Sequence, residues 1–207
     1  MDLMVSDLES LRKHLKIDKW IVLGHSFGGM LASYYATVHP ERIESMILSS
    51  SGGIDLGLLA YVGAINEKLS PEQQASLKYW DAQIAAGDTT HNARLQRGKA
   101  LANAYIYDKS NAAVIAERLT QGNSKVNSLV WQNLQRIKFD CAPKLASFTK
   151  PVLILQGNND IINIATAEIA HKAIKNSKLV LMDHCGHYGW LDNPQVYFAA
   201  IKDFLKS

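Results

Sequence analysis

A chain of 207 residues, 47% hydrophobic and 20% charged, has the balance of one globular domain able to bury its own core, which excludes a disordered chain. The formal charge of +3 is small, and Lys and Arg are scattered among Asp and Glu with no basic run, so neither nucleic acid nor an anionic membrane is implied as a partner. Two cysteines, Cys141 and Cys185, are too few for a disulfide framework and fit a reducing compartment, with the cytoplasm as default; no stretch reaches the roughly twenty apolar residues of a membrane helix, and the start Met1-Asp2-Leu3-Met4 is acidic where a signal peptide is basic.

Residues 2–15 read as a helix, with Leu3, Leu8, Leu11 and Leu15 forming most of one apolar face. The run Trp20-Ile21-Val22-Leu23 reads as a strand, and Gly24-His25-Ser26-Phe27-Gly28-Gly29 follows it directly. Residues 27–39 return to near-helical apolar spacing, closed by Pro40. Strand, GxSxG turn and helix together make a nucleophile elbow. Serine is a weak nucleophile in water; the elbow exposes its hydroxyl where a histidine can reach it and places the backbone N–H of Phe27 as one oxyanion donor. The tight reversal predicts that side chains at Gly24 and Gly28 would collide and that Ser26 holds a strained backbone. A dinucleotide loop would need GxGxxG, and Ser26 stands where its second glycine belongs.

A second strand is predicted over 46–49. From Ser51-Gly52-Gly53 to Pro151 strand character is sparse and helices are predicted: one starting at Ser70-Pro71-Glu72-Gln73 as a capping box and stopping at Gly87, then 92–107, 111–121 and 124–137. The aromatic residues Tyr61, Tyr79, Trp80, Tyr105, Tyr107 and Trp131 in this stretch read first as core, and none is assigned to a site. Val152-Leu153-Ile154-Leu155-Gln156 after Pro151 suits a buried parallel strand, with Gly157-Asn158-Asn159-Asp160 as its turn. Lys178-Leu179-Val180-Leu181-Met182 is the next strand, and Asp183-His184-Cys185-Gly186-His187 leaves its end. The chain order Ser26, Asp160, His187 is nucleophile, orienting acid, base.

Rivals exist at each position. Asp183 and His184 follow their strand immediately, where side chains cap or pack. His25 has a backbone direction opposed to that of Ser26 and reads as a packing or lining residue. His14, His39, His91 and His171 read as solvated surface. A metal at His184, Cys185 and His187 lacks further ligands nearby, so no metal or cofactor is expected.

The elbow, the QGNND turn and the HCGHYGWLDNP segment resemble the α/β-hydrolase superfamily, and the stretch from Ser6-Asp7-Leu8-Glu9 through Leu15-Lys16-Ile17-Asp18-Lys19-Trp20 into the elbow is similar to proline iminopeptidases and their relatives. Those enzymes often place Trp or Gly beside the serine, where this chain has Phe27 and His25. The resemblance implies a partial α/β-hydrolase fold: a parallel sheet of about four strands flanked by helices, with residues 1–52 and 141–207 as core and 53–140 as a helical cap insertion. It also implies that the chain begins mid-fold, without the HGGP-like loop that supplies a second oxyanion donor; losing one donor lowers turnover by about a hundred- to a thousand-fold. The first strand would then be an open apolar edge, prone to self-association.

The function expected is hydrolysis of an ester or amide (peptide) bond in a small molecule or short peptide, proline iminopeptidase-like, through Ser26, His187 and Asp160. The alternative is a truncated, silent remnant that pairs with a partner chain through the open edge. Dehalogenases and epoxide hydrolases use Asp as nucleophile, against Ser26, whereas lipid-ester and carbon–carbon bond hydrolysis stay open. The resembled peptidases hold a substrate amine with cap carboxylates; Glu67, Glu72 and Glu117 are available, and no motif chooses among them.

Overall fold

The computed structural model describes residues 1–61 and 63–206. Its first half runs α1 (Asp2–His14), β1 (Trp20–His25), α2 (Phe27–Val38), β2 (Ile43–Ser49), α3 (Ala64–Glu67), α4 (Pro71–Ala85), α5 (His91–Tyr105), α6 (Ala112–Leu119) and α7 (Ser124–Arg136). It continues through α8 (Ala142–Leu145), β3 (Val152–Gly157), α9 (Ile164–Ala173), β4 (Ser177–Met182), α10 (Gly189–Asp192) and α11 (Pro194–Phe204). The four strands pair in parallel in the order β1-β2-β3-β4. Each predicted strand is present, extended by one to three residues.

The burial of the strands follows from their place in the sheet. β3 is buried throughout and β2 at all but Glu44, because both are covered on two faces, which is why residues 152–155 and 46–48 read as apolar runs rather than as alternating ones. Trp20, Val22, Met46, Leu48, Val152 and Ile154 pack with α1, α2 and α9 on one face. Ile47, Leu153, Leu155 and Met182 pack with Tyr197 and Ile201 of α11 on the other. β1 alternates between half-buried and exposed positions over its first four residues, and β4 is buried only at Met182. Ile21 and Leu23 of β1 are 45% and 49% exposed, and no strand among the described residues pairs with the outer side of β1.

The expected apolar face of α1 is corrected. Leu3, Leu11 and Leu15 are exposed, Leu3 at 82%, and the helix buries Val5, Glu9 and Arg12. Two charges can be buried here because they satisfy each other: Arg12 Nε and Nη2 donate to Glu9 Oε1 and Oε2, each at 2.8 Å. Arg12 Nη1 also donates to the carbonyls of Ile17 (2.6 Å) and Asp18 (3.1 Å), and the Tyr35 hydroxyl donates to Glu9. This network fixes the turn between α1 and β1, so a polar pair outcompetes the leucine stripe for the covered side.

Arg12, by its hydrogen bonds, lowers the Glu9 carboxyl from 4.5 to about 2. Between those pH values the unfolded chain binds more protons than the folded one. The pair's contribution is therefore complete above about pH 4.5 and is lost as pH falls towards 2. Glu9→Gln should lower the stability at neutral pH, because an amide keeps only one of the two carboxylate oxygens that accept from Arg12 and carries no charge to meet the guanidinium. Urea titrations across that acid window should show a shallower pH dependence than the parent chain; an equal slope would contradict the assignment.

The helical stretch between β2 and β3 carries its signals where expected. Ser70 and Gln73 form the reciprocal capping box of α4, and Gly87 follows that helix with φ +107°. α5 and α7 are capped by Thr90 and Asn123, so the predicted 92–107 and 124–137 lie within two residues of the observed helices. The two ends of the stretch meet at an antiparallel bridge between Asp55 and Asp140, beside a hydrogen bond from the Cys141 N–H to the Ile54 carbonyl at 2.7 Å. No helix among the described residues is long and apolar enough to cross a membrane.

Candidate active site

Parallel packing places the C-terminal ends of β1, β3 and β4 on one side of the sheet, and the three loops that leave them carry Ser26, Asp160 and His187. Ser26 sits at φ +55°, ψ −121°, immediately before the first residue of α2, a conformation costly for any residue with a side chain. Its backbone is held on both sides: the Ser26 N–H donates to Ser49 O, and its carbonyl accepts from Gly29 and Gly52, each at 3.0 Å. Phe27 is the first helical residue, so its N–H has no partner within the helix and points with the positive end of the α2 dipole.

The glycines divide unequally. A Cβ on Gly24 would lie 2.2 Å from the Gly28 carbonyl oxygen, so the reversal does require glycine there. A Cβ on Gly28 would meet nothing within 4 Å, which corrects the expected collision at that position. The close approach falls one residue on, at Gly29, whose added Cβ would be 2.3 Å from Ser51 Oγ. Gly24→Ala should therefore open the elbow and lower the melting temperature by several degrees, as followed by circular dichroism, whereas Gly28→Ala should melt like the parent chain.

Asp160 and His187 are brought together. His187 Nδ1 lies 2.8 Å from Asp160 Oδ1, and both side chains are essentially buried. Asp160 is fixed by its own turn: Oδ1 accepts from the Ile162 N–H at 2.9 Å, and Oδ2 accepts from Gln156 Nε2 at 2.9 Å. Gln156, the last but one residue of β3, is buried and also donates to Ile162 O at 3.1 Å. Because Asp160 occupies Nδ1 of His187, Nε2 is the nitrogen left for a proton acceptor's work. Among the described residues the Ser26 hydroxyl makes no hydrogen bond, so its contact with His187 is not part of the observed geometry.

The rival residues are placed elsewhere. Asp183 accepts from Asn158 Nδ2 and supports the loop after β3, while His184 stands at φ +52° against Tyr107. His25 is a neighbour of the site: its ring lies 4.6 Å from that of His187, centroid to centroid. His91 pairs with Glu117 at 2.7 Å, and Glu72 accepts from Ser70. Cys141 and Cys185 are buried free thiols pushed up to about 12 by burial, chemically inert at neutral pH.

A family model described as the alpha/beta hydrolase fold matches residues 1–194. The chain belongs to the α/β-hydrolase fold family. It is 27% identical to the proline iminopeptidase of Lactobacillus helveticus (strain DPC 4571) over 97% of this chain and 70% of that protein. It is 23% identical to a putative 2-succinyl-6-hydroxy-2,4-cyclohexadiene-1-carboxylate synthase of Bacillus subtilis (strain 168), over 98% of this chain and 72% of that one. Among solved structures it matches an alpha/beta fold family hydrolase from Bacillus anthracis str. Sterne with a TM-score of 0.75 at 20% identity, covering 97% of this chain and 72% of the other. A meta-cleavage product hydrolase from Pseudomonas fluorescens IP01 matches with a TM-score of 0.71 at 17% identity, covering 99% and 71%. The fold is thus a partial one relative to these α/β hydrolases.

Asp192 and Tyr105 are among the contributors to this α/β-hydrolase site that sequence reasoning missed. Asp192 accepts three backbone N–H groups, from Gly186 (2.8 Å), Tyr107 (2.9 Å) and Asp108 (3.0 Å), clamping the His187 loop to the segment that leaves α5. Tyr105 adds to the same junction, its carbonyl accepting the His187 N–H at 2.7 Å and its ring lying 5.5 Å from the imidazole. The available signals were an Asp ahead of Asn193-Pro194 and an aromatic at the predicted end of a helix; neither names a partner some eighty residues away.

Proposed function

We propose that this chain is a serine hydrolase that cleaves an ester or amide bond of a small molecule or short peptide by way of an acyl-enzyme, with proline iminopeptidase-like substrates as the first choice. The observation that carries the reading is the buried Asp160–His187 pair, set at the same end of the parallel sheet as a serine held at φ +55° on a strand-to-helix turn. Resemblance to the lactobacillar proline iminopeptidase supports the subclass.

The chemistry follows from the groups. His187 keeps its Nδ1 proton on Asp160 and takes the Ser26 proton at Nε2 as the serine oxygen attacks the carbonyl carbon. The new oxyanion lies at the α2 N-terminus, where the Phe27 N–H donates to it. His187 then gives its proton to the departing alcohol or amine, leaving Ser26 acylated. Water, deprotonated by the same imidazole, releases the acid and restores the serine. Asp160 stays ionised throughout and stabilises the transient imidazolium. The helical stretch from α3 to α7 serves as a cap over this chemistry, tethered at Tyr105 and Asp192. Two free thiols suit residence in the cytoplasm.

The substrate class is tested with L-proline p-nitroanilide, other aminoacyl p-nitroanilides and short-chain p-nitrophenyl esters under equal conditions. A higher kcat/KM for the prolyl amide than for the other amides supports the subclass. Ester cleavage alone keeps the serine hydrolase and removes the peptidase.

For its partners, the reading includes a second copy of the chain at β1. Antiparallel pairing about Val22 would set Ile21 opposite Leu23 and Trp20 opposite Gly24, so the exposed apolar edge complements itself. Light scattering of the 207-residue chain should show a mass that rises with concentration, and Leu23→Lys should return it to monomer. A monomeric parent chain would remove this pairing.

A further inference from the structure

His187 has four polar handles, and three of them are held by three different elements. Its N–H donates to Tyr105 O at the end of α5, its Nδ1 meets Asp160 after β3, and its carbonyl lies 2.9 Å from His25 Nε2 at the end of β1. The last contact spans 162 residues, and His25 precedes Ser26 directly in the chain. A carbonyl oxygen only accepts, so His25 Nε2 carries the proton and donates it.

We propose that His25 is a positioning residue: its Nε2–H, donated to the carbonyl of His187, ties the histidine loop to the strand end that presents Ser26. This rests on the reading of Ser26 as nucleophile and His187 as base. The bond makes one unit of the two residues whose separation governs proton transfer, without passing through the helical stretch above them. Packing holds the His25 ring in place: it stacks on Tyr188 at 5.3 Å with 30° between planes, and meets Trp190 edge-on at 4.8 Å. The ring is also neutral at working pH, because burial, and next the neighbouring His187, bring it down from 6.5 to about 4. A neutral imidazole beside His187 leaves the base free to accept a proton, where a cation would oppose the imidazolium.

The test compares the parent chain with His25→Phe, which keeps a ring and removes the donor, and His25→Gln, whose amide N–H reaches about as far as Nε2. Two readouts are taken on folded protein. One is the rate of Ser26 labelling by a fluorophosphonate; the other is the downfield Nδ1–H proton resonance of His187 in histidine labelled with nitrogen-15, which reports the Asp160 contact independently of any serine chemistry. His25→Phe should label about 100-fold more slowly, since a misplacement of the order of 1 Å has that effect, and its His187 resonance should broaden through exchange with water. His25→Gln should recover the greater part of the rate and the sharp resonance. A folded His25→Phe with the parent's rate and resonance would overturn the proposal, as would a folded His25→Gln that behaves like His25→Phe or, should the Phe variant not fold, one that has lost the resonance. If the parent chain is never labelled at Ser26, the nucleophile reading fails by itself, and the resonance still decides whether His25 positions His187.

Discussion

His187→Ala should slow fluorophosphonate labelling of Ser26 and turnover of any ester substrate by roughly 10⁴-fold or more, because no other group near the elbow replaces its Nε2 as proton acceptor. His25 does not substitute: burial brings its imidazole down to about 4, too weakly basic to take the serine proton. The same change should destabilise the fold. Asp160 is 7% exposed, and without the imidazole its charge keeps only the Ile162 N–H and the Gln156 amide. Removing one partner of a buried pair costs about 3 to 5 kcal/mol, measurable by urea unfolding at neutral pH. Labelling at the parent's rate in a folded His187→Ala chain would remove His187 from the chemistry.

Asp160→Asn should lower the rate by about 10⁴-fold while retaining most of the packing. Both carboxylate oxygens accept hydrogen bonds: Oδ1 from His187 Nδ1 and the Ile162 N–H, Oδ2 from Gln156. An asparagine has one acceptor oxygen. With its oxygen towards His187, its NH₂ opposes the Gln156 NH₂; turned over, its NH₂ opposes the Ile162 N–H and drives the proton of His187 to Nε2, the wrong tautomer. Thermal melts of Asp160→Asn should therefore lie several degrees below the parent chain. An unchanged melting temperature would contradict this arrangement of Asp160 and Gln156.

The parts of this architecture that were legible in the sequence are those written locally. β3 could be placed because an apolar run between Pro151 and Gly157 has no other economical reading in a parallel sheet, and α4 because Ser70 and Gln73 cap each other within one turn. The loop positions of Ser26, Asp160 and His187 followed from the GxSxG turn, the strand ends and the order of the three residues in the chain. What was not legible depends on contacts between distant segments. Leucine spacing favoured the wrong side of α1, since only the folded chain shows that Tyr35 and the Ile17 and Asp18 carbonyls complete the Glu9–Arg12 pair. The tight reversal led to an expected collision at Gly28 as well as Gly24, yet the chain curves so that Gly29 makes the close approach. Asp192, Gln156 and His25 support the site through backbone groups or buried oxygens contributed from elsewhere, and a hydrogen bond of that kind leaves no spacing pattern.

Whether the Ser26 hydroxyl reacts as a nucleophile decides the function. Folded chain is incubated with a fluorophosphonate at neutral pH, digested, and the adduct located by tandem mass spectrometry, with Ser26→Ala alongside. One phosphonyl group per chain on Ser26, absent from the alanine variant and strongly reduced in His187→Ala, is the expected result. A folded parent chain that takes no adduct, or takes it on another serine while Ser26 stays unmodified, would contradict it.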